Sequence, residues 1–139
     1  MALLCSMVAG AVEIEPGVSQ KLAEQRRAAV GNLCYDLKFR IPASRKEKVT
    51  GSAVIKFTYK KCGDDLQLDF QGADGQYGGV VTVNGKKRRA EWRSEHIILK
   101  ESWLKNGENA VDVAFTSGDK SLNRNDDYLY TLFVPDHAR

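Results

Sequence analysis

From Tyr35 onward the chain repeatedly trades apolar for polar residues at every step, a period of two that a half-buried strand satisfies and a helix cannot. In Tyr35-Asp36-Leu37-Lys38-Phe39-Arg40-Ile41, the residues Tyr35, Leu37, Phe39 and Ile41 share one face. Asp36, Lys38 and Arg40 share the other, and Pro42 ends the run. After a basic loop, Gly51 to Lys60 repeats the pattern, with Ala53, Ile55, Phe57 and Tyr59 predicted inward. Cys62-Gly63-Asp64-Asp65 makes a turn into a short strand, Leu66 to Phe70. Val80 to Val83 then meets Asn84-Gly85, the strongest two-residue hairpin signal, because both positions tolerate positive φ. The return strand is read as Lys86 to Arg93, followed by strands at His96 to Leu99 and Ala110 to Phe115 and a last one at Tyr128 to Val134. Between them, Ser102-Trp103-Leu104 reads as one helical turn that tucks its tryptophan and leucine under a sheet.

About eight short strands at turn spacings of roughly 8–12 residues, with no strand–helix alternation, predict a mainly β fold: an antiparallel β-sandwich or saddle. One short amino-terminal helix is expected over residues 19–31, capped by Ser19 and stopped by Gly31-Asn32; its narrow apolar stripe of Leu22, Ala29 and Val30 suits a surface position. With 139 residues the chain is long enough to bury one core without a disulfide or metal staple.

Residues 1–15 read as a remnant of a signal peptide or a disordered leader, and residues 16–139 as a single β-domain. The stretch from Ala2 to Val12 carries no charge, and Ala9-Gly10-Ala11 has the small-x-small form that signal peptidases prefer, although a basic segment ahead of it is missing. Export to the periplasm or cell envelope is the favoured expectation; an apolar first strand is the other. Cys5 would leave with the leader, so Cys34 and Cys62 could form one disulfide or remain free thiols.

Charge and composition narrow the function classes. A balance of 21 basic against 18 acidic residues demands no nucleic-acid or membrane partner, and no apolar run approaches the ~18 residues that would make a transmembrane helix. Lys86-Lys87-Arg88-Arg89 beside Trp92 could grip phosphates and stack a base, but reads better as a charged edge strand that resists aggregation, so no nucleic-acid partner is expected. The glycine-rich stretch from Gly72 to Gly79, holding Asp74 and Tyr77, does not lead from a strand into a helix and offers too few oxygens for calcium; it is expected to be a connector. His96 lies in an isoleucine-rich strand and His137 near the end, so neither is expected to serve a nucleophile, and two histidines cannot build a multi-histidine metal centre. Asp64-Asp65 and Asp126-Asp127 fall in turns, where aspartates cap backbone amides. The sequence thus predicts no catalytic and no metal-ligating residue, and the substrate-binding residues stay unknown.

Several segments in order resemble the amino-terminal β-domain of zinc aminopeptidases of the aminopeptidase N type. They are Arg26 to Ile41, a helix end followed by Asn32 to Phe39, then Val49 to Phe57, Leu66 to Phe70, Val81 to Gly85, Leu104 to Asn109 and, most specifically, Tyr128-Leu129-Tyr130-Thr131-Leu132-Phe133-Val134-Pro135-Asp136-His137-Ala138-Arg139. The last resembles the family's Tyr-x-x-Thr-Gln-Phe-Glu-Pro-x-x-Ala-Arg. The resemblance implies a non-catalytic scaffold whose domain continues past Arg139 and whose partner is the catalytic domain of the same polypeptide, which would hold zinc through His-Glu-x-x-His and bind peptide substrate. Neither that motif nor Gly-x-Met-Glu-Asn is present here, so no cofactor is expected in this chain itself. Leu132 and Val134 replace the family's Gln-x-Glu, which removes the carboxylate that would meet a substrate ammonium; Pro135, Ala138 and Arg139 match in structural roles. In this reading the apolar face of strand 128–134 lies under-covered and both tryptophans are buried. The alternative is a free-standing β-sandwich module of the cell envelope that binds carbohydrate or protein, with Trp92 or Trp103 facing solvent beside an exposed Tyr77. A nucleic-acid binder using Lys86 to Arg89 is the third reading, and it predicts steep salt dependence.

Overall fold

The computed structural model describes residues 10–72, 76–117, 123–125 and 127–130. Among these residues one helix, α1 (Gln20–Ala29), precedes ten strands: β1 (Val30–Arg40), β2 (Thr50–Tyr59), β3 (Leu66–Asp69), β4 (Tyr77–Val83), β5 (Lys86–Arg89), β6 (Glu91–Arg93), β7 (His96–Leu99), β8 (Gly107–Thr116), β9 (Asn123–Arg124) and β10 (Leu129–Tyr130). A 3-10 turn spans Glu101–Trp103. The fold is mainly β and antiparallel throughout, as the alternation predicts.

Five strands form one sheet in the order β1-β2-β8-β4-β5, three form a second in the order β3-β7-β6, and β9 and β10 make a separate ribbon. The core lies between the two larger sheets. Ile55 and Phe57 of β2, Val111 and Val113 of β8, and Val81 and Val83 of β4 face Leu66 of β3 and Ile97 and Leu99 of β7. Each comes from every second position of its strand, the periodicity that puts one side of a pleat in the core.

The two sheets are joined along one side by a strand that changes partners. The expected continuous strand 86–93 is in fact two, because buried Ala90 turns a corner: its amide still bonds Gly79 of the first sheet, while Glu91 begins pairing with Ile98 of the second. Alternation continues through such a corner, so the pattern alone does not reveal it. The predicted Asn84-Gly85 turn is present with φ of 49° and 79°, as a type I′ hairpin requires. A second such hairpin, between β6 and β7, puts Ser94 and Glu95 at φ of 49° and 65° without any glycine to advertise it.

Helix α1 starts where expected: Oγ of Ser19 accepts the Leu22 amide at 3.3 Å. It does not stop at Gly31-Asn32. Val30 is already extended, so the helix passes directly into β1, and Asn32, with φ of 49°, sits instead in a bulge between Gly31 and Cys34. On the side of β3 and β7 away from the core, a third thin layer forms. Glu13 and Glu15 present their carbonyls to Gln67 Nε2 (3.2 Å) and His96 Nε2 (3.0 Å), and the Val12 amide meets Asp64 Oδ2. Residues from Ala11 onward, inside the stretch expected to be leader, are therefore bonded to the domain, Ala11 through Lys21 Nζ.

Candidate functional site

The side of the sandwich opposite the Ala90 corner is open. The first sheet ends there in β1, which extends past the narrower second sheet, whose edge is β3. The register Tyr35↔Ile55 and Leu37↔Ala53 places the apolar row of β1 on the same face as the core residues of β2. That row is nevertheless uncovered. Leu33, Tyr35, Leu37, Phe39 and Ile41 are all about half exposed, with Leu37 at 53%. The structure corrects the expectation that this face packs on a core: the apolar face is the inner one, but no described element lies over it.

Between the β1 row and the β3 edge lies a cleft of about 580 Å³, floored by Ile55, Phe57, Val111 and Val113 and walled by Leu37 and Leu68. The charges of its polar rim are paired, while among the described residues the buried Gln67 Oε1 and His96 Nδ1 have no hydrogen-bond partner. Arg26 of α1 grips Asp69 with both terminal nitrogens, one of them at 3.0 Å, and also reaches the Gln67 carbonyl at 2.6 Å. The Phe70 amide bonds back toward the β6–β7 turn, so by alternation Gln67 turns its carbonyl to the open edge, where the guanidinium caps it. His96 is 1% exposed, with Nδ1 2.9 Å from Asp69 Oδ1 but off the hydrogen-bonding direction, and its other nitrogen is held by Glu15. Burial, then the Asp69 charge, pushes the Tyr35 phenol above its ordinary range, against an opposing pull from Arg26, so Tyr35 stays neutral.

Among the described residues along this cleft, no nucleophile, base and open coordination position come together. The charges on its rim are paired, and the exposed material is aliphatic and aromatic. What the geometry offers is burial of another apolar surface.

The other sequence candidates fall elsewhere. Lys86, Lys87 and Arg89 are exposed on β5, the far edge of the first sheet, whereas Arg88 lies over the Trp103 ring at 5.9 Å, a cation–π contact that also shields the indole. Trp92 is half-buried against the core and donates Nε1 to the Phe70 carbonyl at 2.8 Å. The 3-10 turn buries Leu104 but leaves Trp103 only partly covered. Tyr77 is no loop residue: it opens β4, is buried, and packs its ring 5.9 Å from that of Phe70. Of the predicted turn aspartates, Asp64 caps the amide of Asp65 and Asp65 that of Glu101, and Asp65 also pairs with Lys100 at 2.7 Å; at the other pair it is Asn125 that accepts the Asp127 amide, at 2.9 Å.

Cys34 and Cys62 are both free. Cys34 pairs with Lys56 across β1 and β2, whereas Cys62 lies past the end of β2 with its Sγ 3.5 Å from the Tyr59 hydroxyl, and the two thiols are not bridged. Among the described residues no three His, Cys, Asp or Glu side chains are grouped to hold a metal, and no helix is long and apolar enough to cross a membrane. Asp74, Asp126, His137, Leu132, Val134, Pro135, Ala138 and Arg139 lie outside the described residues. Of the strand expected at 128–134, Leu129–Tyr130 pairs with β9, and Tyr128, Leu129 and Tyr130 are exposed. Comparison with models of protein families and with curated proteins finds no match to this chain.

Proposed function

We propose that this chain is the amino-terminal, non-catalytic scaffold of an exported zinc aminopeptidase of the aminopeptidase N type, and that it seats against the rest of that polypeptide through the open face of β1. The observation that carries the reading is the uncovered apolar row from Leu33 to Ile41 beside a cleft with no free chemistry. Single exposed apolar residues are ordinary, but Leu33, Tyr35, Leu37 and Phe39 on one strand, with Ile41 just past its end, at the mouth of an apolar cleft, form the kind of surface that ordinarily packs against something. The ordered resemblance of Asn32 to Asn109 and Tyr128 to Arg139 to the amino-terminal domain of that family names what would cover it. Zinc, substrate recognition and the hydrolytic step would then belong to the catalytic domain, with this domain holding it in place. A carbohydrate platform would need a solvent-facing tryptophan; Trp92 and Trp103 are neither buried, as the scaffold reading expects, nor fully exposed, Trp92 being half covered by the core and Trp103 by Arg88.

The test is to express the natural reading frame through the codons after Arg139 and compare hydrogen exchange along β1 in that product and in the 139-residue chain. Strong protection of Leu33 to Ile41 only in the longer product, together with zinc-dependent release of amino-terminal residues from peptides, is the expected result. A frame that closes directly after Arg139, in a protein that stays monomeric with β1 unprotected, sinks the proposal.

A further inference from the structure

We infer that the chain is cut between Ala11 and Val12, and that the α-ammonium thereby created on Val12 docks on the carboxylate of Asp64. This rests on the export half of the reading above and is independent of the relation to aminopeptidases. Two observations meet at one bond. The uncharged stretch from Ala2 ends in Ala9-Gly10-Ala11, small residues at the two positions a signal peptidase reads. The first backbone N–H that bonds the β-domain belongs to the next residue, Val12. Gly10 and Ala11 are exposed, whereas Val12 and Ile14 turn partly inward and Glu13 and Glu15 outward, so the strap lies on the sheet with a strand's alternation.

The receiving site for the new terminus is built. The Val12 nitrogen lies 2.6 Å from Asp64 Oδ2, which also accepts Gln25 Nε2 at 3.2 Å, while Asp64 Oδ1 accepts the Asp65 amide at 2.9 Å. Glu13 and Glu15 are then held by Gln67 and buried His96, fixing the terminus in register. Hydrolysis would break the Ala11–Val12 C–N bond: the hydroxyl of water goes to the Ala11 carbonyl carbon, which leaves as a carboxylate, and the Val12 nitrogen takes up protons to become an ammonium. A neutral amide-to-carboxylate hydrogen bond thereby becomes a charge-assisted one. The cut also detaches the Ala11 carbonyl from the exposed Lys21 Nζ, 3.1 Å away, which is a small sacrifice at the surface.

The experiment exports the natural gene product with its own leader and reads the first residue of the recovered protein by amino-terminal sequencing and intact mass. The expected first residue is Val12. Any other first residue, or recovery only of protein in which residues 11 and 12 remain joined, overturns the inference while leaving the docking role of β1 intact. The seat is tested by Asp64→Asn in both forms. The substitution should lower the Tm of the cleaved protein by about 3 °C more than that of the uncleaved precursor, where Val12 carries no charge. Equal shifts in the two forms would show that the new terminus does not sit on Asp64.

Discussion

Strands β1 and β8 have nearly the same sequence grammar and opposite fates. In β8, Val111 and Val113 alternate with Asp112 and Ala114; in β1, Leu37 and Phe39 alternate with Lys38 and Arg40. Both strands belong to one sheet and both turn their apolar residues to its inner face. Yet Val111 is 0% exposed and Phe39 50%. The difference lies in position: β8 is third of five strands with β3 and β7 across from it, whereas β1 is the edge strand beyond the reach of the smaller sheet. Alternation thus encodes which face of a strand is apolar, and it says nothing about whether the chain supplies a cover. Among the described residues the apolar row of β1 is left open, which is what the proposed docking of β1 would use.

The sharpest way to break this comparison is to truncate one residue in each strand. Val111→Ala removes two methyl groups from a fully enclosed position and leaves a cavity between the sheets, at a cost of about 2–3 kcal/mol. Leu37→Ala removes more carbon from β1, but urea melts of this chain should show a change of less than about 0.5 kcal/mol. Equal losses would mean that β1 is covered after all.

Where the two regions touch, a glycine mediates. Gly51 of β2 sits in register between Phe39 of β1 and Phe115 of β8, and those rings meet edge-on with centroids 5.9 Å apart. A Cβ at position 51 would come within 2.6 Å of the Phe115 ring. Gly51→Ala should therefore part the two rings and cost about 1–2 kcal/mol, read by denaturant melts, with near-ultraviolet dichroism reporting the separation of the rings.

At the other end of β2, Glu101 clamps the turn that leaves the strand. Its Oε1 accepts the amides of Cys62 (2.7 Å) and Gly63 (2.9 Å) and the Tyr59 hydroxyl (3.3 Å). Burial pushes this carboxyl up, but the two amides, the hydroxyl and the Lys61 charge outweigh it and hold it below its ordinary 4.5. The same enclosure drives the Tyr59 phenol far above its usual range, so it remains a donor. A carboxyl depressed in the folded state stabilises the fold above its unfolded pKa and loses that contribution as pH falls through the folded value. Glu101→Ala should cost about 1 kcal/mol near neutrality and progressively less below pH ~4. A cost that does not change with pH would mean that Glu101 acts through packing alone.

Much of the fold was legible because local chemistry and tertiary context agreed: Ser19 as cap, Asn84-Gly85 as hairpin, and β2 and β8 as alternating strands all lie where their own residues place them. What escaped depended on distant partners. Ala90 turns a corner because Gly79 and Ile98 lie on different sheets, and Tyr77 is buried because Phe70 is there to meet it. The Ser94-Glu95 turn runs against residue preference, and the strap at 12–15 is bound through main-chain groups that sequence patterns do not register. The candidate site was half legible: its apolar row could be read directly, but its openness follows only from sheet order, and the self-satisfied Arg26–Asp69 rim joins residues from two separate elements.

The smallest effect on stability carries the largest weight for function. Leu37→Lys places a charge on a residue already 53% exposed, so the 139-residue chain should unfold within about 0.5 kcal/mol of the unaltered protein. If the reading frame continues past Arg139 as proposed, in that product the same lysine would be driven into an apolar interface without a partner, at a cost of several kcal/mol. That product should lose the protection of β1 and open to limited proteolysis around residues 33–41. Lys38→Leu makes the control, since Lys38 shares the outer face with Asp36 and its loss should leave docking unchanged. If Leu37→Lys is silent in both lengths of chain, β1 meets no neighbour, and its likeness to β8 is only a matter of pattern.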